Sequence, residues 1–284
     1  MVYEKQTEAI RNCCKTLLKQ DKVDVVLGYT QSSLDELLIP FFVRKVEDID
    51  KLAWGDQCWQ NLAPYLHSRK DRVGIVAKPC DVRGIVQYIA EGQLNRDQVY
   101  IIGVDCAGMI DEEGNPRPGC DECRVHAPPL FDTHITDDRI PQIKAAEKKS
   151  ETVQQKHTAE RFQTEIDKCI LCYACRQACY GCYCKTCFME RGTPDWLPAE
   201  IDSAAKKTFH MSKAMHLAGR CVECGACEAA CASGVELRYI IKELTDFVED
   251  NYDFQAGMDL SAVSPMVSYG DGDKEIGFLG GDEA

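Results

Sequence analysis

The run Lys168-Cys169-Ile170-Leu171-Cys172-Tyr173-Ala174-Cys175-Arg176-Gln177-Ala178-Cys179 returns 52 residues later as Arg220-Cys221-Val222-Glu223-Cys224-Gly225-Ala226-Cys227-Glu228-Ala229-Ala230-Cys231. Both carry Cys-x2-Cys-x2-Cys-x3-Cys. A tight loop can present three thiolates to one face of an iron–sulfur cube, and the fourth corner must then be reached from elsewhere in the chain. Ala174 in the first run, with Gly225 and Ala226 in the second, keeps the loops slim beside the sulfurs. Structural zinc usually joins two Cys-x2-4-Cys knuckles and does not call for an eight-cysteine repeat in this order.

This is the spacing of two-cluster bacterial ferredoxins, in which each run lends its fourth cysteine to the other run's cube. On that rule Cys169, Cys172, Cys175 and Cys231 bind one [4Fe-4S] cluster, and Cys221, Cys224, Cys227 and Cys179 bind the other. Residues 167–250 are thus expected to form an α+β two-cluster ferredoxin-like domain, with a helical insertion over 180–220. Tyr180 and Ala232 stand where proline commonly follows the fourth cysteine, which alters loop stiffness and sulfur environment rather than ligation.

The insertion opens with three further cysteines, Cys182, Cys184 and Cys187. They are candidate ligands of an extra zinc or iron–sulfur centre, which would need a fourth donor from Cys13, Cys14, Cys58, His210 or His216. Free thiols packed as small apolar residues are the plain alternative. The pairs Cys179-x2-Cys182 and Cys184-x2-Cys187 also permit a different register. The one that aligns the two runs is preferred.

Upstream, residues 1–140 read as an α/β domain with a small parallel or mixed sheet. A helix is expected over 3–20, followed by short apolar runs at Val23–Leu27, Phe41–Val43, Val73–Ala77 and Val99–Val104, with helical stretches at 56–68 and 82–91. Cys80 and Cys106 follow the last two runs, where parallel sheets place their ligands. The irregular segment 111–140 adds Cys120-x2-Cys123. These four would hold a third cluster if they converge; spacing alone leaves Cys80 and Cys106 equally readable as buried thiols. Residues 141–166 read as a charged, exposed linker helix, and 251–284 as an extended tail.

Composition bounds the chemistry. The chain has 284 residues and 18 cysteines, and 33 Lys and Arg against 46 Asp and Glu give a net charge of −13. Such a length buries a core without covalent staples. No apolar run approaches the roughly 20 residues of a membrane span, and Met1-Val2-Tyr3-Glu4-Lys5 opens no signal-like region. The expectation is a cytoplasmic protein of reduced thiols, and the acidic balance disfavours nucleic acid. Three oxidised four-thiolate cubes, each about −2, would move −13 toward about −19.

Three stretches together, Lys78-Pro79-Cys80-Asp81-Val82-Arg83-Gly84, Ile102-Gly103-Val104-Asp105-Cys106 and Cys120-Asp121-Glu122-Cys123, resemble the beta subunits of coenzyme F420 hydrogenases and formate dehydrogenases. Lys168–Arg176 and His216–Cys221 are similar to versions that carry a dicluster ferredoxin module. The resemblance covers roughly residues 20–245. It implies that Cys80, Cys106, Cys120 and Cys123 supply a [4Fe-4S] cluster beside a flavin. The chain departs from the family by leaving only 124–166 where members place a large flavin and deazaflavin domain, and no G-x-G-x-x-G replaces it. FAD is therefore left open, with Lys78, Arg83 and the stretch Gly28–Ser33 as its candidate contacts and surface charge and turn chemistry as the alternative.

The first function these readings imply is an iron–sulfur electron-transfer subunit of a multi-subunit, anaerobic oxidoreductase. It would pass single electrons between a formate dehydrogenase or hydrogenase and a heterodisulfide-reductase-like flavoprotein or other redox partner. A chain of this kind needs no acid, base or nucleophile of its own. The second is an FAD-containing beta subunit that itself converts a two-electron carrier, and the third is a zinc-stabilised interaction module. His67, His126, His134 and His157 show no ligand spacing. Trp54, Trp59 and Trp196 read as packing groups, Met211 and Met215 as core, and Lys168 and Arg220 as exposed neighbours of the clusters.

Overall fold

The computed structural model describes residues 3–33, 37–142, 159–191 and 201–268. Helix α1 (Glu4–Lys19) buries Gln6, Ile10, Cys14 and Leu17, a stripe at helical spacing that makes Cys14 an ordinary core residue. Five strands follow: β1 (Val25–Gln31), β2 (Leu38–Val43), β3 (Val73–Ala77), β4 (Val99–Val104) and β5 (Thr133–Ile135). Their order is β2-β1-β3-β4-β5; β2 pairs antiparallel with β1 and the rest are parallel. Every residue of β3 is buried, as expected where both sheet faces are covered.

The sheet is mixed, one of the two arrangements expected, because β2 returns antiparallel beside β1, and the residue limits of β3 and β4 match the expectation. Three details differ. Gly28 to Gln31 lie inside β1, paired with β2, so they form no loop. The stretch 56–68 makes only one 3-10 turn, Ala63–Leu66. The Asn61 side chain accepts from Ala63 N–H at 2.9 Å and Asp81 accepts from Leu62 N–H at 3.0 Å, so side chains take the amides a helix would use. Finally, the segment read as irregular contributes β5, which pairs with β4 through Gly103 and its neighbours.

Helix α2 (Pro79–Ala90) starts three residues earlier than the apolar pattern suggests, with Pro79 in its first turn. It is buried on nearly all sides. At its start Lys78, 1% exposed, donates to Asp81 at 2.8 Å and to the Gln60 carbonyl at 2.9 Å, and also bonds Tyr29. Arg83 is 4% exposed. Neither is surface charge.

The C-terminal half is helical: α3 (Ala159–Asp167), the single turns α4 (Ala174–Gln177) and α6 (Ala226–Ala229), α5 (Ser203–Leu217) and α7 (Leu237–Tyr252). Helix α4 packs on α6, and α5 lies against α3 and α7. Among the described residues no strand follows Ile135. A second core forms here from Phe209, Leu217, Val235, Leu237 and Ile241 with Cys175 and Cys227. The expected linker helix is described only from Ala159 onward, and there it is not merely a solvated face, because Glu165 and Ile166 are buried.

Several other expectations are corrected. Met211 and Met215 are 57% and 59% exposed, since the buried stripe of α5 runs through Ala205, Phe209, Lys213 and Leu217 instead. Arg220 is half-buried in a two-bond pair with Glu91 at 2.6 Å each, whereas Lys168 is exposed, as expected, and pairs with Glu165 at 2.8 Å. The start of the tail is anchored: Ala256 and Ser264 are buried, and a Cβ at Gly257 would meet the Arg83 carbonyl at 2.2 Å. His157, Trp196 and residues 269–284 lie outside the described residues. No described helix is long and apolar enough to cross a membrane.

Candidate metal centres

The two cysteine runs fold into the same local shape. In the first, Leu171 (φ 52°) and Tyr173 (φ 60°) adopt the left-handed region; in the second, Glu223 (φ 57°) and Gly225 (φ 71°) do so at equivalent positions. Three of these four are not glycine, and such strain persists only where the surroundings over-determine it. Each run then enters a one-turn helix whose second residue is a cysteine, Cys175 in α4 and Cys227 in α6. The turned backbone aims amides at sulfur. Leu171 N–H donates to Cys169 Sγ at 3.3 Å, and Glu223 N–H donates to Cys221 Sγ at 3.4 Å. Val235 N–H donates to Cys231 Sγ at 3.3 Å.

The packing of α4 on α6 crosses the two runs. Burial raises the Cys169 thiol, and the neighbouring thiols of Cys231 and Cys172 raise it further. Cys175, pushed up to about 11 chiefly by burial, has Cys169, Cys231 and Cys172 around it. In the other set burial lifts Cys221 to about 12 and Cys224 to about 11, and both feel Cys179. Cys179, Cys221, Cys224 and Cys227 line one cavity. Thus each run's fourth cysteine stands with the first three of the other.

The N-terminal four also meet. Cys80 opens α2 after β3, and Cys106 follows β4. The turn holding Cys120 and Cys123 folds back to the same sheet edge, and all four line a single cavity. Burial pushes Cys106 to about 12, with Cys120 and Cys123 beside it. Cys224 lines this cavity too and neighbours Cys80, so the third set adjoins the second. The junction is tight. A Cβ on Gly225 would fall 1.7 Å from the Pro118 carbonyl, and one on Gly119 would fall 2.5 Å from that of Glu223.

Besides Lys78, two buried cations, Arg83 and Lys213, stand among these sets, and the cysteine spacings gave no pointer to either. Arg83 donates to the Ala256 carbonyl at 2.9 Å and to that of Val222 at 3.2 Å, while its buried Nη2 finds no acceptor among the described residues. Arg83 lines the third cavity. Lys213 Nζ lies 3.3 Å from both the Cys175 carbonyl and Cys182 Sγ. Burial would lower its pKa, but the thiols of Cys179, Cys182, Cys227 and Cys175 outweigh this and hold it above the usual lysine range. A detectable signal existed, since Lys213 falls four residues after Phe209 and four before Leu217, in the apolar stripe of its helix.

Cys182, Cys184 and Cys187 share a recess with Lys213 and His216. Cys182 donates to Cys179, which is the main reason the Cys179 thiol falls to about 5. Of the suggested fourth donors, His216 lines this recess and the others do not. Cys13 and Cys14 sit on α1, Cys58 lies in the sheet core near Lys78 and Cys106, and His210 is buried on α5 with Nε2 unpartnered. Among the described residues no three His, Cys, Asp or Glu side chains close on one point as for a single ion. His126 bonds the Cys106 carbonyl at 2.9 Å, His134 bonds Asp105 at 2.7 Å, and His67 stacks on Tyr183.

The donor sets fit four-thiolate cubes. Soft sulfur is the donor iron–sulfur clusters take, amides point at three of the sulfurs, and the free Nη2 of Arg83 suits an anionic group in the third cavity. Bound, such clusters would supply one-electron redox capacity. The protein's own contribution is to desolvate the sulfurs, orient amides toward them and hold Lys213 and Arg83 charged nearby.

An α/β sheet joined to a helical, cysteine-rich half, with twelve cysteines in three neighbouring groups, is an architecture compatible with iron–sulfur binding. No family profile matches the chain. Among curated proteins it is 22% identical to the F420-dependent formate dehydrogenase subunit beta of Methanocaldococcus jannaschii, over 92% of this chain and 94% of that protein. It is 34% identical to the F420-dependent formate dehydrogenase 1 subunit beta of Methanococcus maripaludis, over 36% of this chain and 27% of that protein. Both relatives are formate dehydrogenase beta subunits, the kind of protein that the cysteine motifs resemble. The first alignment spans 361 positions, more than the 284 residues here, so that relative carries a substantial stretch with no counterpart in this chain.

Proposed function

We propose that the protein is an iron–sulfur electron-transfer subunit of a multi-subunit oxidoreductase, with three [4Fe-4S] clusters in series. The first is held by Cys169, Cys172, Cys175 and Cys231. The second is held by Cys221, Cys224, Cys227 and Cys179, and the third by Cys80, Cys106, Cys120 and Cys123. Residues 167–250 act as a ferredoxin-like unit and 1–140 as the unit carrying the third cluster. The observation that carries this reading is contiguity: α4 against α6 crosses the first two sets, and Cys224 borders both the second and third. Single electrons would pass along the series between a formate dehydrogenase or hydrogenase and a heterodisulfide-reductase-like flavoprotein or other redox partner. The chain's net charge of −13 suits docking to basic patches on such partners.

The flavin-bearing alternative finds its candidate contacts engaged elsewhere, Lys78 with Asp81 and Arg83 with two carbonyls. Anaerobic purification with iron, sulfide, zinc and flavin counted per chain tests the proposal. About 12 iron per chain and no flavin is expected, at four per cube. Stoichiometric flavin would replace the wire with an FAD enzyme, and near-stoichiometric zinc with almost no iron would overturn both.

A further inference from the structure

We propose that Lys213 is a shared electrostatic setting for the first two cysteine sets, raising the reduction potentials of both centres together while leaving the third untouched. The inference rests on the cluster reading above and adds a role for the insertion between the runs.

Helix α5 exists only because 41 residues separate Cys179 from Cys221, and it turns one charged side chain into the second core. Lys213 is 6% exposed. Its ammonium donates to the carbonyl of Cys175, a residue of the first set, and to Cys182 Sγ beside Cys179, a residue of the second. Cys227 of the second set is also near. Among the described residues no carboxylate within 4 Å pairs with it; the ion pairs of this region belong to the half-buried or buried Arg176 and Arg220 and to the exposed Lys168 instead. A buried ammonium without a partner is strongly disfavoured, and sulfur is the counter-charge available here.

The consequence for redox chemistry follows from charge. Each one-electron reduction, with the electron drawn from a partner redox protein, adds one negative charge to a cube and moves no proton. A fixed positive charge beside the sulfurs lowers the energy of the more negative state in a low-dielectric setting. Because the ammonium contacts Cys175 of the first set and lies near Cys179 and Cys227 of the second, one side chain biases two centres in the same direction. The third set has Arg83 and Lys78 as its nearby buried cations and no contact with Lys213, which makes it an internal control.

Potentiometric titration monitored by electron paramagnetic resonance, on anaerobically purified full-length protein, tests this. The first two centres are assigned with C172S and C224S. In K213M the midpoints of both are expected to fall below their wild-type values, the third to stay in place, and K213R to restore the first two. Unchanged midpoints in an iron-replete K213M, or an equal shift of all three, would overturn the assignment. If K213M loses iron, K213Q is titrated in its place. Loss in both variants that K213R restores supports the role of charge, and loss that K213R does not restore refutes it. Absence of iron and sulfide from the wild-type protein would instead refute the cluster reading.

Discussion

His210 shows how one side chain can tie this fold to pH. It is buried, Nε2 has no partner among the described residues, and burial followed by the charge of Lys213 depresses its pKa from 6.5 to about 4. The unfolded chain therefore takes up a proton near pH 6.5 while the folded chain does not. Stability is complete above that value and erodes as pH falls toward 4, by about 2 kcal/mol at pH 5 from this residue alone. His210→Phe should remove that share, so denaturant midpoints at pH 7 and pH 5 should lie closer together than in the wild type; an unchanged gap would contradict it. At this scale the sequence was uneven as a guide. The cysteines announce themselves by spacing. Lys213 and Arg83 do not, because a lysine or arginine in a helix looks solvated until the helix's buried face is known, and Arg83 is enclosed by a tail 173 residues away.

Among the elements, the two loop-and-turn units around the cysteine runs are the most constrained. Their matching left-handed residues were foreshadowed by the repeat, although Leu171, Tyr173 and Glu223 carry no glycine to mark the conformation. Gly225 is different, since it needs both a positive φ and the absence of a Cβ against the Pro118 carbonyl. Gly225→Ala is expected to destabilise the protein by about 2–4 kcal/mol, from left-handed strain plus a backbone displacement. Iron should be lost from the second and third centres together, since the 118–120 turn and the second run would separate. Wild-type stability with full iron in this variant would show that the junction yields easily. The strands β3 and β4 were legible because continuous apolar runs bounded by turns have one reading. Three-residue β5 was not, because its strand character comes from pairing with Gly103 and its neighbours rather than from its own composition.

Across the whole molecule, polar bonds sew the sheet half to the helical half. Arg220 grips Glu91, Arg124 grips Glu249 at 2.7 and 2.8 Å, Tyr88 donates to the Tyr180 carbonyl at 2.6 Å, and Arg83 holds the tail. Glu91→Gln should leave Arg220 largely buried and unpaired and lower stability by about 2–3 kcal/mol. Thermal melting should remain one transition when followed by sheet and helix signals. Two separated transitions in the wild type would show the halves to be independent. None of these long-range pairs could be foreseen from sequence, because nothing local distinguishes them from solvated charge. The crossed arrangement of the cysteine runs also bears on the order of manufacture. On the proposed ligation, neither of the first two cubes can be completed before residue 227 has left the ribosome, and the first waits for Cys231, whereas every ligand of the third lies within the first 123 residues. Biogenesis would then begin at the sheet edge and close last at Cys231, so a nascent chain stalled short of Cys227 would hold at most one finished cluster.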